Sequence, residues 1–198
     1  MNAPRFDISN LVARAKKGEV RGRELQGIAH ILSNGTGGAD TYRLLYVIVR
    51  SGARKYEGLV SDYLYYREDP MVARLALQAL CVFWGLGHKY LNVMEDFLGG
   101  VDWDYLGDVQ GVAITAAGEY LRDHNSYPLL AELFRLAQDG DDSVRQRIAI
   151  EALARAVGET MEASLQTGSS SGDRECWVAD VLARCALRIA NEIRSTDI

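Results

Sequence analysis

The sequence predicts an all-α fold in which pairs of helices stack as a solenoid. Residues 69–80 align with residues 142–153, 73 positions later, with an Asp, an Arg and a closing Ala-Leu in common, and 112–117 repeats the apolar centre about midway. A spacing of about 30 to 40 residues in helical sequence is typical of helical repeats. Only three prolines interrupt the 198 residues, and no sustained two-residue apolar alternation indicates strands.

The individual helices follow from apolar spacing and from glycine and proline punctuation. Asp69 and Pro70 have the residue types of an N-cap and a first helical position, and Pro128 suits the first turn of another helix. Apolar side chains on nearly all sides of 70–85 predict a buried middle helix, whereas the one-sided stripe of 174–194 predicts a terminal cap. The predicted helices are 8–17, 21–33, 40–51, 54–66, 70–85, 88–98, 105–123, 127–138, 143–157 and 174–194, and a short helix is allowed at 159–165.

The predicted organisation is a single α-solenoid domain, 1–198. Residues 1–38 are expected to form N-terminal capping helices, 39–158 the repeats, and 159–198 a flexible loop and a C-terminal capping helix. Caps are expected because a terminal repeat otherwise exposes an apolar face. The flexible part of the loop is the Gly/Ser-rich tract 167–172. The repeat pairs are 40–51 with 54–66, 70–85 with 88–98, 105–123 with 127–138, and 143–157 with the segment that follows.

The motif Asp-x-x-Val-Arg, followed by Ala-x-x-Ala-Leu and Gly, resembles HEAT-like (armadillo-type) helical repeats. The best match is 141–158, a second match at 69–85 has Ala73 where the motif has Arg, and a third near 108–118 is degenerate. The resemblance covers about 40–158 and implies a right-handed α-solenoid of about four helix pairs. It also implies that the Asp and Arg of the motif connect neighbouring repeats. These residues are Asp69, Arg74, Asp142, Arg145 and Arg147.

The charge distribution favours a basic protein partner over nucleic acid. Residues 1–55 hold ten Lys and Arg against four Asp and Glu, residues 89–142 hold three against eleven, and the formal net charge is −5. Phosphate contacts need Lys and Arg, so the acidic middle argues against direct binding of nucleic acid. An acidic surface that is merely solvated is the alternative.

The sequence has the features expected of a protein of the reducing cytoplasm. Its start contains no apolar run that could serve as a signal peptide, and no window approaches the ~18 apolar residues of a membrane span. The three cysteines are odd in number and form no CxxC pair, so we expect reduced, buried thiols. They are Cys81, Cys176 and Cys185.

No motif predicts catalysis, a metal or a cofactor, and we therefore expect a non-enzymatic protein. His30, His88 and His124 are far apart and have no partner at a metal-ligand spacing. Neither a GxSxG elbow nor a phosphate-binding glycine loop is present. The sequence alone does not exclude a Ser/His/Asp triad formed by residues distant in the chain. Asp102-x-Asp104 lacks the closing Glu of a calcium loop.

Two features predict where a partner binds. In HEAT-like repeats the second helices line the concave surface, so their polar and aromatic side chains would form one acidic, Tyr-bearing groove. The connection 102–108 adds three aspartates around Trp103 and Tyr105, and aromatic residues are enriched at interface hot spots. The alternative is that these aromatic rings pack between repeats or into the core. The predicted partner-binding residues are Asp62, Tyr65, Tyr66, Asn92, Glu95, Asp96, Asp102, Trp103, Asp104 and Glu132.

Small, acidic helical proteins with irregular repeats are similar to immunity proteins, which neutralise secreted nuclease toxins in the producing cell. This resemblance implies that the acidic groove occludes a basic, nuclease-like toxin. A HEAT-like scaffold or chaperone with several weak partners is the alternative. Enzymes on this scaffold, the DNA glycosylases and the phycobilin lyases, are less favoured, because the former need a basic groove and no residue here indicates a chromophore cleft.

Overall fold

A computed structural model describes residues 7–35, 40–139, 143–159 and 171–196. Every regular element in these ranges is a helix, which confirms the predicted all-α class. The chain divides into two compact units, Met1–Leu86 and Gly87–Ile198, which are described in turn.

Three sequence predictions fall on other parts of the chain. The motif residue Asp142, nearly all of the short helix at 159–165 and most of the tract 167–172 lie outside the described residues. The stacking of the helices as a single solenoid domain stays a prediction.

The first unit contains α1 (Ile8–Lys16), α2 (Arg23–Ser33), α3 (Thr41–Arg50), α4 (Glu57–Ser61) and α5 (Pro70–Leu77). The first three helices begin and end within two residues of the predicted bounds. Helix α3 contacts α1, α2 and α5, so it forms the centre of this unit. Its side chains Leu45, Val47 and Ile48 are fully buried, because apolar residues occupy most of the faces of this helix.

The helix predicted over 54–66 is wrong in its length. Helix α4 ends at Ser61, and the amide of Tyr63 then donates to the carbonyl of Val60, only three residues back, at 3.2 Å. This tighter turn directs Tyr63 into the core, where its hydroxyl donates to the carbonyl of Leu32 at 2.8 Å. The apolar spacing therefore predicted the buried face, but a contact with a distant part of the chain ends the helix.

The buried middle helix predicted over 70–85 begins as an α-helix and ends as a π-helix. Asp69 caps α5, since its carboxylate accepts a hydrogen bond from the amide two residues ahead at 2.9 Å. The helix widens over Gln78–Phe83, and the amide of Trp84 donates to the carbonyl of Ala79, five residues back, at 2.9 Å. The predicted burial is confirmed for most of the apolar side chains, but Phe83 is 49% exposed. The fully buried side chains are Val72, Ala73, Ala76, Leu77, Ala79 and Leu80.

The second unit contains α6 (Leu91–Leu98), α7 (Asp108–Asp123), α8 (Tyr127–Gln138), α9 (Ser143–Ala156) and α10 (Ser171–Thr196). Each lies where a helix was predicted, to within about three residues. Helix α9 packs on α7 and α8, and α6 contacts both α7 and α8. Helices α7 and α9 approach closely at Gly118, where a Cβ atom would lie only 2.8 Å from Ala152.

Helix α10 packs on one side, as expected for a terminal cap, and contacts α8 and α9. Val181 and Cys185 are buried, whereas Leu187 is 66% exposed. Cys176 is exposed, so the prediction of three buried thiols is wrong for this one. The physical reason is its position two residues before the stripe residue Val178, which places it on the opposite side of the helix.

Arg188 connects α10 to the ends of two other helices. Its guanidinium donates to the carbonyl of Leu121, in the last turn of α7, at 3.0 Å and to that of Ala156, the last residue of α9, at 2.8 Å. It also donates to the carbonyl of His124 at 2.7 Å and to Oδ1 of Asn125. The last carbonyls of a helix have no partner within that helix, so Arg188 supplies donors to the C-terminal ends of both α7 and α9.

Candidate protein-binding site

The ten predicted partner-binding residues divide between the two units. Those in the first unit are Asp62, Tyr65 and Tyr66. Those in the second unit are Asn92, Glu95, Asp96, Asp102, Trp103, Asp104 and Glu132.

In the first unit, the three residues lie in the turn that follows α4. Asp62 is exposed, and Tyr65 is 47% exposed. Tyr66 is half-buried beside Tyr63, with the ring centroids 5.6 Å apart, and its hydroxyl donates to Glu68 at 2.8 Å. This hydrogen bond, together with burial, raises the pKa of Tyr66. Tyr66 is thus held within the turn, while Asp62 and Tyr65 face solvent.

On α6, the predicted polar residues lie off the buried stripe. Asn92 and Asp96 are exposed and Glu95 is half-buried, while Met94 and Phe97 of the same helix are fully buried. The apolar spacing of this helix therefore separated its inner and outer residues correctly.

The charge of Glu132 on α8 is compensated by Arg135. Its Oε1 accepts a hydrogen bond from Arg135 at 2.6 Å and its Oε2 accepts another at 3.0 Å. The carboxylate raises the pKa of Arg135. A basic partner would have to compete with Arg135 for this carboxylate.

The connection between α6 and α7 is anchored by two inward contacts. Trp103 is half-buried and packs edge-on against Phe97, with ring centroids 6.0 Å apart and planes at 89°. The buried side chain of Gln110 donates to the carbonyl of Leu98, at the end of α6, at 2.7 Å. Trp103 therefore packs partly against the core and is partly exposed, while Asp102 beside it is exposed.

Asp104 is buried, and its prediction as a partner-facing residue is therefore corrected. It is only 8% exposed, and its Oδ2 accepts hydrogen bonds from the amides of Val109 and Gln110, both at 2.9 Å. These amides belong to the first turn of α7, where helical N–H groups lack partners and the helix dipole favours negative charge. Gly107 precedes this turn in the left-handed conformation, at φ +71°, which few other residues adopt.

The two residues after Asp104 are the most exposed large apolar side chains in the described part of the chain. Tyr105 is 80% and Leu106 is 78% exposed. They occupy a turn that is closed from within, because the amide of Gly107 donates to the carbonyl of Asp104 at 3.0 Å. Both residues lie in the connection 102–108 that was predicted to face a partner, but neither was named among the individual partner-binding residues. The sequence feature that could have identified them is an Asp three residues before the Gly that precedes a helix. Such an Asp turns inward to cap the helix, and the residues between it and the Gly then lie in an exposed turn.

A cavity of about 260 Å³ opens beside this turn, between α7 and α9. Its walls are largely apolar and include Ile114 and Ile148, and Arg145 adds a basic group. Leu106 and Val144, which is 58% exposed, also line it. We call Tyr105, Leu106 and Val144 the apolar patch. A cluster of exposed apolar side chains around a cavity is typical of a surface that binds another molecule.

Negative charge accompanies the apolar patch along the chain. Asp102 and Asp108 stand on either side of Tyr105 and Leu106, and Glu95 lies on the preceding helix. Within the described ranges, none of these three carboxylates forms an ion pair. Arginines of this unit compensate other acids instead, as Arg135 does for Glu132.

Comparisons with models of protein families, with curated proteins and with solved structures find no match to this chain. The HEAT-like resemblance therefore stays a prediction that rests on the sequence motif. Within the described residues, no helix combines the length and the apolarity needed to cross a membrane. In that same part of the chain, no three His, Cys, Asp or Glu side chains form a group that could hold a metal ion.

Proposed function

We propose that this protein is a non-enzymatic binding module that engages a basic protein through the apolar patch and the carboxylates beside it. The exposure of Tyr105 and Leu106 on an internally fixed turn carries this proposal. Ordering side chains and loops on association costs free energy, so a turn that is already fixed retains more of its contact energy. Aromatic anchors with a polar rim are typical of interface hot spots.

The charge of the surrounding residues selects the partner. Asp102, Asp108 and Glu95 have no ion-pair partner within the described ranges, so their field favours a cationic surface and disfavours an acidic one. An enzyme that holds phosphates must itself be basic around its active site. The most specific form of the proposal is therefore an immunity or inhibitor protein of the cytoplasm that occludes a basic, nuclease-like toxin.

The proposal includes a HEAT-like stacking of the helices of the second unit. Contacts between α7 and α9, and between α6 and α8, support it, because these are the contacts that successive first helices and successive second helices would make. A scaffold or chaperone on the same helices would bind several partners weakly rather than one tightly.

Affinity capture with the tagged protein, followed by mass spectrometry and titration of the captured partner, tests the proposal. We expect one basic partner whose affinity falls as the salt concentration rises. Tyr105→Ala with Leu106→Ala should weaken binding by about 30-fold or more, because hot-spot truncations typically cost about 2 kcal/mol or more. Leu187→Ala, which removes a comparably exposed side chain from α10, should leave the affinity unchanged.

The acidic component has its own test. Glu95→Lys with Asp96→Lys on α6 should lower the association rate and leave the helical circular dichroism intact. An acidic partner, or a partner that binds all of these variants like the unaltered protein, would refute the proposed surface.

A further inference from the structure

The first unit has a cavity that the proposed function does not use. It lies between α1 and α3 and holds about 460 Å³, which is within the usual range of small-molecule sites. The lining positions on α1 recur three or four residues apart, and Tyr42 and Arg43 on α3 lie four and three residues before Tyr46, so each helix contributes one face. The lining residues are Ser9, Val12 and Lys16 on α1 and Tyr42, Arg43 and Tyr46 on α3.

Two uncompensated cations line this cavity. Within the described ranges, neither Lys16 nor Arg43 forms an ion pair, and no carboxylate belongs to the lining. Nearby Arg14 differs, since Glu24 binds both of its terminal nitrogens at 2.7 and 2.8 Å. Two positive charges that face one cavity repel each other unless an anion binds there. The lining therefore favours a ligand with negative charge.

The rest of the lining is suited to a flat ring. Tyr42 and Tyr46 are half-buried and stack with their centroids 6.4 Å apart and their planes at 25°, and Val12 adds an apolar surface. The tyrosine hydroxyls and that of Ser9 have no hydrogen-bond partner in the described part of the chain. Aromatic faces stack on planar bases, and free hydroxyls can bond to a sugar.

We propose that the α1–α3 cavity binds a nucleoside phosphate. Lys16 and Arg43 would hold the phosphate, Tyr42 and Tyr46 would pack against the base, and the free hydroxyls would contact the ribose. An acidic peptide would use the two cations but would leave the tyrosine wall and the hydroxyls without a role.

Isothermal titration calorimetry of the full chain with adenosine 5′-monophosphate tests this site. We expect saturable binding at one site, tighter than that of adenosine or of inorganic phosphate alone. Arg43→Gln should weaken binding of the nucleotide about tenfold or more. Tyr46→Leu should weaken it about tenfold while leaving the affinity for phosphate unchanged, and Tyr46→Phe should retain most of the binding.

Arg50→Gln is the matched control, because Arg50 is an exposed arginine of the same helix outside the cavity lining. It should leave the nucleotide affinity unchanged, and so should Tyr105→Ala with Leu106→Ala in the second unit. The proposal is overturned if adenosine 5′-monophosphate does not saturate a site, if phosphate alone binds as tightly, if a glutamate-rich peptide binds more tightly, or if Arg50→Gln causes an equal loss.

Discussion

Arg188 allows a sharp test of how the second unit is held together. The change Arg188→Met keeps most of the length and apolar packing of the side chain but removes all of its donors. Leu121 and Ala156 would then lose the donor that α10 brings to their carbonyls, at the ends of α7 and α9. Because α10 contacts α8 and α9 otherwise mainly through its apolar stripe, we expect this loss to lower the free energy of unfolding.

The expected magnitude follows from the surroundings of each bond. The bonds to Leu121 and Ala156 are partly buried, whereas those to His124 and Asn125 are exposed, so water can replace the latter pair. A hydrogen bond from a charged donor contributes about 1.5–3 kcal/mol, so the two partly buried bonds together contribute about 3–6 kcal/mol. The side chain of Arg188 is 23% exposed, which lets some water reach the freed carbonyls. We therefore expect a loss near the lower end, about 3 kcal/mol.

Chemical denaturation followed by circular dichroism measures this loss. Arg184→Met is the control, since Arg184 lies one turn earlier on α10, is 50% exposed and forms ion pairs with Glu159 and Asp180 at 2.7 and 2.8 Å. Exposed ion pairs contribute at most about 1 kcal/mol, so the control should lose far less. Equal losses for the two variants would refute the role assigned to Arg188.

Three further outcomes are expected. Gly118→Ala should lower the free energy of unfolding by about 1–3 kcal/mol despite the better helix propensity of Ala, because the added Cβ would meet Ala152 at 2.8 Å. The control Gly58→Ala, with no neighbour within 4 Å, should raise the free energy of unfolding. A Gly118→Ala variant more stable than the unaltered protein would contradict the close packing of α7 and α9. Asp104→Ala should lower the free energy of unfolding, measured by thermal or chemical denaturation, by about 0.5–2 kcal/mol. Asp104→Asn should lower it less, since the amide keeps an acceptor oxygen. If neither variant lost stability, the capping role of Asp104 would be contradicted. Burial raises the pKa of the Cys81 thiol from 9.0 to about 12, so the unfolded chain loses this proton at a lower pH than the folded protein does. The free energy of unfolding should therefore fall as the pH rises through that interval, and it should fall less in Cys81→Ala. The same pH dependence in both proteins would argue against the buried thiol.

The helices were predictable where local spacing decides them. The helices α1, α2, α3 and α8 follow from apolar residues three and four apart, and Pro128 in the first turn marks the start of α8. The turn after α4 was not predictable, because it depends on the bond of Tyr63 to Leu32, 31 residues earlier. The π-helical ending of the helix that starts at Pro70 likewise has no counterpart in the apolar spacing, which is the same for a continuous α-helix.

The candidate site was predictable as a segment but not residue by residue. The aspartates and aromatic residues of 102–108 indicated a surface connection, yet Asp104 points inward and Leu106 outward. A connection without periodicity does not encode which of its side chains face the core. The α1–α3 cavity could not be predicted for another reason, since Lys16 and Arg43 come together only when their helices pack.

The π-helical segment Gln78–Phe83 makes this part of the chain tolerant of a one-residue change in length. A π-helical turn holds one residue more than an α-helical turn, so deleting one residue here would restore α-helical bonding while the residues that follow keep their orientation. Trp84, which is 4% exposed, would then keep its buried position. The same deletion within the α-helical part, Pro70–Leu77, would instead rotate the residues that follow by about 100° around the axis.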